Sequence, residues 1–314
     1  MVRERISNVN EFAEYVSEHL FDESPEMTLD HTVQVQSVTK NNGLILKGIV
    51  VRENGCNIAP TLYVNDAFKR FEDGEDIQSL MDELLRAYDL HKLTDDFSVE
   101  FFTDFEQAKE RLAMKLINAE RNRELLATVP HYLLGDLAVI FQVLVDATEF
   151  GNATITVRNE HRDMWDVPTS TLFSFAKANM EEKQPVRIQS MFEALSGMIG
   201  NDDLLDVMDM PPMFVMSNES KINAAVGMLF TDKLQEFAEK YNSSLYIIPS
   251  SIHELLLIPD RNQDPDSLAS MIVEVNSTQV SPEEVLSDHP YFYDMDTHEL
   301  KFAETMEVME LIEV

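Results

Sequence analysis

The residues best suited to chemistry sit close together in "LYIIPSSIHELLLIPD", where Ser250, Ser251, His253 and Glu254 fall within one short stretch. Two hydroxyls, an imidazole and a carboxylate are the ingredients of a nucleophilic relay. The apolar runs on either side, "LYII" and "ELLLIP", read as strands. Successive strand side chains point to opposite faces, so Glu254 cannot orient His253. A relay through Ser251 and His253 would therefore need its acid from a distant segment, such as Asp136 or "NEHRD". The glycines that tighten a nucleophile elbow and open an oxyanion hole are missing. Serine and proline are ordinary turn residues. The stretch is thus expected to be a polar turn between buried strands, with Ser250, Ser251 and His253 as candidate binding residues. Catalysis by Ser251 and His253 is the alternative.

A second concentration is "NEHRDMWD", which places Glu160, His161, Arg162, Asp163 and the only tryptophan, Trp165, at the end of an expected strand. Arginine and tryptophan anchor interfaces, which makes Arg162 and Trp165 candidate binding residues. The plainer reading has Trp165 capping the core and Arg162 pairing with a local carboxylate. His131, His161, His289 and His298 have no His or Cys at ligand spacing, and no H-E-x-x-H occurs. "DPDSLAS" and "DMDTHE" lack the glycine and distant glutamate of a calcium loop and read as turns and helix caps. No glycine-rich phosphate cradle is present, and Cys56 stands alone and is read as inert. Neither a metal nor a cofactor is expected.

The elements that hold these groups follow from apolar spacing. A first helix is expected near Val9–Leu20, then a hairpin turning at Asn41-Asn42-Gly43, then a strand in "APTLYV". Ile77, Leu80, Met81, Leu84, Leu85 and Tyr88 form a helical stripe begun by the turn at Asp73-Gly74. A long helix is expected from Phe105 to about Leu126, with Ala108, Leu112, Leu116 and Ala119 along its seam. "DLAVIFQVLVD" is apolar on both faces and reads as a strand inside a sheet, paired with "ATITVRNEH". A helix over Thr169–Glu182 follows, and "VRIQSMFEAL" fits either strand or helix. "GNDDLLDVMDMPP" reads as an exposed connection. Beyond it come a strand in "MFVMS", a helix in "KINAAVGMLF", a helix striped by Leu234, Phe237, Ala238 and Tyr241, and the two strands about Ser251. The chain closes with a helix begun at Asp264 and a hairpin about Asp294–Thr297. A helix followed by two adjacent strands recurs after Leu20, Leu126 and Tyr241. Tight hairpins force antiparallel neighbours, so an α+β fold with largely antiparallel sheets is expected. Three regions are expected, 1–103, 104–205 and 206–314, packed as one or two compact domains.

Totals bound the function. With 314 residues, 44% apolar content, 18 Phe and 17 Met, the chain can bury a real core. No apolar run approaches the roughly 18 residues of a membrane helix, and the start lacks a signal-peptide core. One cysteine fits a reducing cytoplasm. Fifty-seven carboxylates against 24 Lys and Arg leave a net charge of −33, which repels phosphate backbones and anionic membranes. The carboxylates are spread along the chain, as expected of a well-solvated acidic surface; clustered on one face, they would suit the basic groove of another protein.

The strings "NGLILKGIVVRENGCNIAPTLYVNDAFKRFEDGEDIQSLMDELLRAY", "NAERNRELLATVPHYLLGDLAVIFQVLVD", "MFVMSNESKINAAVGMLF", "LYIIPSSIHELLLIPD" and "VLSDHPYFYDMDTHEL" resemble, in order and over nearly the whole length, a bacterial family common in gut clostridia, domain of unknown function 5688. The C-terminal third is distantly similar to a second bacterial family, named for a Bacillus protein of the Ytp series. The resemblance implies a cytoplasmic bacterial protein, leaves carriage on mobile elements open, and brings no catalytic residues with it. The expectation is a non-enzymatic protein that binds another macromolecule, a protein in the first instance. One variant is an acidic decoy or inhibitor of a nucleic-acid-handling protein. The competing expectation is a hydrolase or transferase using the Ser251/His253 turn. Direct nucleic-acid or membrane binding is not expected, and the sequence is silent on oligomeric state.

Overall fold

A computed structural model describes residues 6–22, 30–54, 59–91, 100–145, 153–195 and 212–314. The chain divides into two compact units, one within Met1–Glu100 and the other within Phe101–Asp146 and Asn152–Val314. Among the described residues every strand pairing is antiparallel, which makes this an α+β fold.

The first unit begins with α1 (Val9–His19), whose cap Asn8 accepts from the amides of Asn10 and Glu11. Strands β1 (His31–Thr39), β2 (Ile45–Glu53) and β3 (Thr61–Tyr63) form a sheet in that order. The β1–β2 hairpin turns through Asn42 and Gly43, both at positive φ, a conformation that Asn and Gly tolerate best. Helices α2 (Asn65–Glu72) and α3 (Ile77–His91) follow. Phe12 is fully buried and packs its ring against Phe68 and Phe71 at 5.6 and 5.4 Å. Around it lie Val16, Ile49, Val51, Leu80, Met81 and Tyr88 as this unit's core.

The second unit opens with the short helices α4 (Glu100–Thr103) and α5 (Phe105–Ala108), then β4 (Leu112–Asn118), α6 (Arg123–Leu126), β5 (His131–Leu134), β6 (Leu137–Val145) and β7 (Ala153–Thr156). Next come α7 (Asn159–Trp165), α8 (Thr169–Lys183), β8 (Arg187–Ser190), α9 (Met191–Leu195) and β9 (Phe214–Ser217). The remainder is α10 (Thr231–Tyr241), β10 (Leu245–Ser251), β11 (Glu254–Pro259), α11 (Pro265–Thr278), β12 (Tyr291–Asp294), β13 (Glu299–Phe302) and β14 (Leu311–Glu313).

Two sheets result. One runs β14-β5-β6-β4 with β7 also on β6; the other runs β13-β12-β10-β11-β9-β8. One continuous core takes a face of each: Leu112, Met114, Leu116, Val139 and Phe141 from the first, Leu245, Ile247, Leu255, Leu257 and Tyr293 from the second. Leu172, Ala176 and Met180 of α8 and Leu234 and Phe237 of α10 complete it. The other face of the first sheet holds Ile117, Ala138 and Ile140 with Leu126 and Val129. On the other face of the second, Tyr246, Ile248, Ile258 and Phe292 are covered by Ile272 of α11.

The long helix expected over Phe105–Leu126 does not form. Its middle is β4, paired with β6 from Leu112↔Val143 to Asn118↔Leu137, with only short helical turns on each side. The expected seam fits a helix because a strand covered on both faces is apolar at nearly every position, and such a run satisfies any period. "KINAAVGMLF" forms a tighter 3-10 turn over Ala224–Leu229. "VRIQSMFEAL" is strand and then helix, β8 passing into α9 at Ser190. There the Ser190 and Glu193 side chains reciprocally cap each other's backbone amides. "NEHRDMW" is α7, not a strand end. Cys56 and most of "GNDDLLDVMDMPP" lie outside the described residues.

Candidate functional site

The β10–β11 turn is held by bonds among its own polar groups and to the neighbouring backbone. Ser251 and Glu254 pair across the hairpin, with Ile252 and His253 at the tip. The His253 amide donates to Ser251 Oγ at 3.0 Å, and Ser250 Oγ donates to Glu254 Oε1 at 3.2 Å. The backbone of Ile252 is tied on both sides, donating to the Glu284 carbonyl and accepting from the Ala225 amide.

The imidazole is committed as well. The Asn223 amide donates to His253 Nδ1 at 3.1 Å, so Nδ1 is the acceptor and the neutral ring carries its proton on Nε2. That nitrogen faces Glu284 Oε1 at 3.6 Å, beyond good hydrogen-bond length. Burial holds the ring's pKa below its ordinary value against the pull of Glu284, with Lys115 acting in the same direction as burial. A general base needs a free lone pair aimed at the proton it takes. Here the lone pair receives a backbone N–H, and Ser251 Oγ bonds the His253 amide rather than the ring.

In α7, Trp165 is 8% exposed. Its Nε1–H donates to the Phe102 carbonyl at 2.9 Å, and its ring lies 5.2 Å from Phe102 and 5.7 Å from Phe105. Its indole is buried against these two rings. Arg162 stays partly accessible, with Nε and Nη2 both on Asp163 Oδ1 at 3.1 and 2.8 Å. His161 Nδ1 accepts from the Arg158 amide and closes the first turn of the helix; burial lowers its pKa too. Asp264 caps α11 through the Ser267 amide, and Asp294 accepts from the amides of Asp296 and Thr297. No group of three or more His, Cys, Asp or Glu suited to a metal ion occurs among the described residues. Among them, too, no helix is long and apolar enough to cross a membrane.

Sequence reasoning did not identify two surface features. The first is a cavity of about 760 Å³ over β5, lined by His131, Leu133, Leu126, Arg123 and Glu120 and joined by Asp136, Asn159 and Arg162. His131 is oriented opposite to His253: its Nδ1 lies 3.0 Å from the Val129 carbonyl, which only accepts, so Nε2 keeps the lone pair of the neutral ring. Both Asp136 carboxylate oxygens accept, Oδ2 from the Ser287 hydroxyl at 2.6 Å and Oδ1 from that of the fully buried Tyr291 at 2.8 Å.

The second is the outer face of α11. Asp266, Ser270 and Glu274 recur every four residues and form one row along it, with Met271 and Val275 forming the next. Met271, Val273 and Val275 are 39%, 50% and 42% exposed. The helix carries no Lys or Arg, and neither Asp266 nor Glu274 meets a cation among the described residues. Elsewhere the cations are largely answered locally, as with Arg70 on Glu75 and Glu83, Arg121 on Asp288, and Lys301 on Asp294.

No curated protein and no solved structure matches the chain. A family model does, over residues 9–295, and by that match the chain belongs to the family of unknown function DUF5688.

Proposed function

We propose that this is a cytoplasmic binding protein, not a catalyst, and that it takes a basic segment of a partner protein against α11. The observation that carries the reading is the composition of that helix's outer face. A row of uncompensated carboxylates lies beside three exposed apolar side chains on a helix without a cation. Exposed apolar surface rimmed by charge of one sign suits a partner of opposite charge that also carries apolar side chains. The net charge of −33 adds a long-range attraction for basic surfaces and a repulsion for nucleic acid. A protein that handles nucleic acid presents such a basic groove, which the acidic face would occupy in place of a phosphate backbone. The turn at Ser251 and His253 argues against the hydrolase or transferase alternative, because the His253 Nδ1 lone pair receives the Asn223 amide and Ser251 Oγ accepts from the His253 amide, not the ring.

The test is capture of partners by the tagged full chain and by its Asp266→Lys/Glu274→Lys variant, at low and physiological salt, followed by titration of the purified captured protein. A basic protein held by the parent, lost by the variant and weakened steeply by salt supports the reading. Binding that ignores both the variant and the salt removes it.

A further inference from the structure

The cavity over β5 has a direction. Its floor is one face of β5, which runs from His131 to Leu134 and continues into Gly135 and Asp136. At about 3.3 Å per residue, the three steps from His131 to Leu134 cover about 10 Å before the turn at Gly135 and Asp136. The far end is acidic. Asp136 stands there, and the Ala119 amide donates to the Asp136 carbonyl, which brings Glu120 alongside. The near end carries the Arg162 guanidinium, and Val314 lines it too, its amide donating to the His131 carbonyl. The Asn159 amide donates to the Thr128 carbonyl, which sets the start of α7 and its Arg162 beside His131. Leu126 and Leu133 line the stretch between with apolar surface.

The charges at the two ends differ in how firmly they are held. Asp136 accepts from two hydroxyls and meets no cation among the described residues, so its negative charge stays uncompensated. Glu120 pairs with Arg123 at 2.9 Å, but both side chains are more than three-quarters exposed, and such a pair costs little to separate. Arg162 spends two of its donors on a single oxygen of Asp163, which leaves the other terminal nitrogen for a ligand. An occupant that satisfies both ends needs a cation and an anion about 10 Å apart with apolar surface between them. An extended chain of three residues spans about that length.

We propose that this cavity binds short zwitterionic peptides of three residues. The peptide ammonium would sit at Asp136 and Glu120, its carboxylate at Arg162, and an apolar side chain against Leu126 and Leu133. The proposal is independent of the α11 reading, since the cavity and the α11 face have no residue in common.

Calorimetric titration of the full chain with Ala-Leu-Ala tests it, beside the same peptide N-acetylated or C-amidated. Expected is saturable binding of the free peptide, weakened by about tenfold or more by either block. Arg162→Gln should cost the free peptide a similar factor and leave the C-amide unaffected, while Glu120→Gln should weaken the free peptide and spare the N-acetyl form. Both side chains are accessible, so neither substitution threatens the fold. No binding of the free peptide up to about 10 mM would overturn the proposal. So would equal affinities for the free and blocked peptides, or indifference to Arg162→Gln.

Discussion

Replacing His253 with alanine separates a ring that holds a turn from a ring that does chemistry. The substitution removes the acceptor of the Asn223 amide, a half-buried donor at the start of the 3-10 turn. Leaving such a donor unmet costs about 1–2 kcal/mol, and the loss belongs to stability. It should also depend on pH in a defined direction. Burial depresses the folded-state pKa of His253, so on acidification the unfolded chain takes up its proton before the folded one does. The neutral ring's contribution is therefore complete above the unfolded value of about 6.5, and is lost as pH falls from there towards the folded value. Urea unfolding of the parent and of His253→Ala at pH 7.5 should differ by the full amount, and the difference should shrink through pH 6 towards pH 5. A variant as stable as the parent at pH 7.5 would refute the reasoning, as would a deficit that stays constant across the range.

Two further outcomes follow from single side chains. Tyr291→Phe removes the hydroxyl that donates to Asp136 Oδ1 from a fully buried ring, and should cost about 1.5–3 kcal/mol in urea unfolding, the range for a bond to a charged group. The same burial raises the Tyr291 phenol well above 10, so alkaline difference spectra should show it ionising only as the chain unfolds. Gly135→Ala should destabilise by more than the 1–2 kcal/mol of the left-handed backbone conformation alone. Its φ is +60°, and an added Cβ would stand 2.8 Å from Phe302 Cζ and 2.9 Å from Met309 Cε. A thermal midpoint unchanged by that substitution would contradict the packing around this turn.

Much of the fold was legible because local signals agreed with the tertiary arrangement. The Ile77–Tyr88 stripe became α3, the Asn-Asn-Gly turn closed the β1–β2 hairpin, and Asp264-Pro265 began α11. Where reading failed, burial had removed the period. β4 is covered on both faces, so Leu112 and Leu116, which share one face of the strand, stand four residues apart and mimic a helical seam. At "VRIQSMFEAL" the signal was present: Ser190 and Glu193 stand at capping-box spacing and mark where strand gives way to helix. The polar turn at Ser251 was legible from alternation, but the partner of its imidazole was not. Asn223 lies 30 residues away and is joined to His253 only by the fold. The cavity over β5 was still less accessible to sequence reading, since Glu120, His131, Asp136 and Arg162 follow no common spacing and are brought together only by the fold. The α11 face could have been found by asking which side of an amphipathic helix still carries valines and a methionine among its carboxylates.

The most direct measurement is the affinity of the captured partner for the full chain and for a Met271→Ser/Val275→Ser variant, each at low and physiological salt. These two side chains are exposed, so the variant should keep the parent's circular dichroism and unfolding midpoint. A basic partner that binds the variant about tenfold or more weakly, and loses affinity for the parent steeply as salt rises, is the predicted result. Equal affinities for parent and variant, with no response to salt, would contradict the assignment of α11 as the binding face.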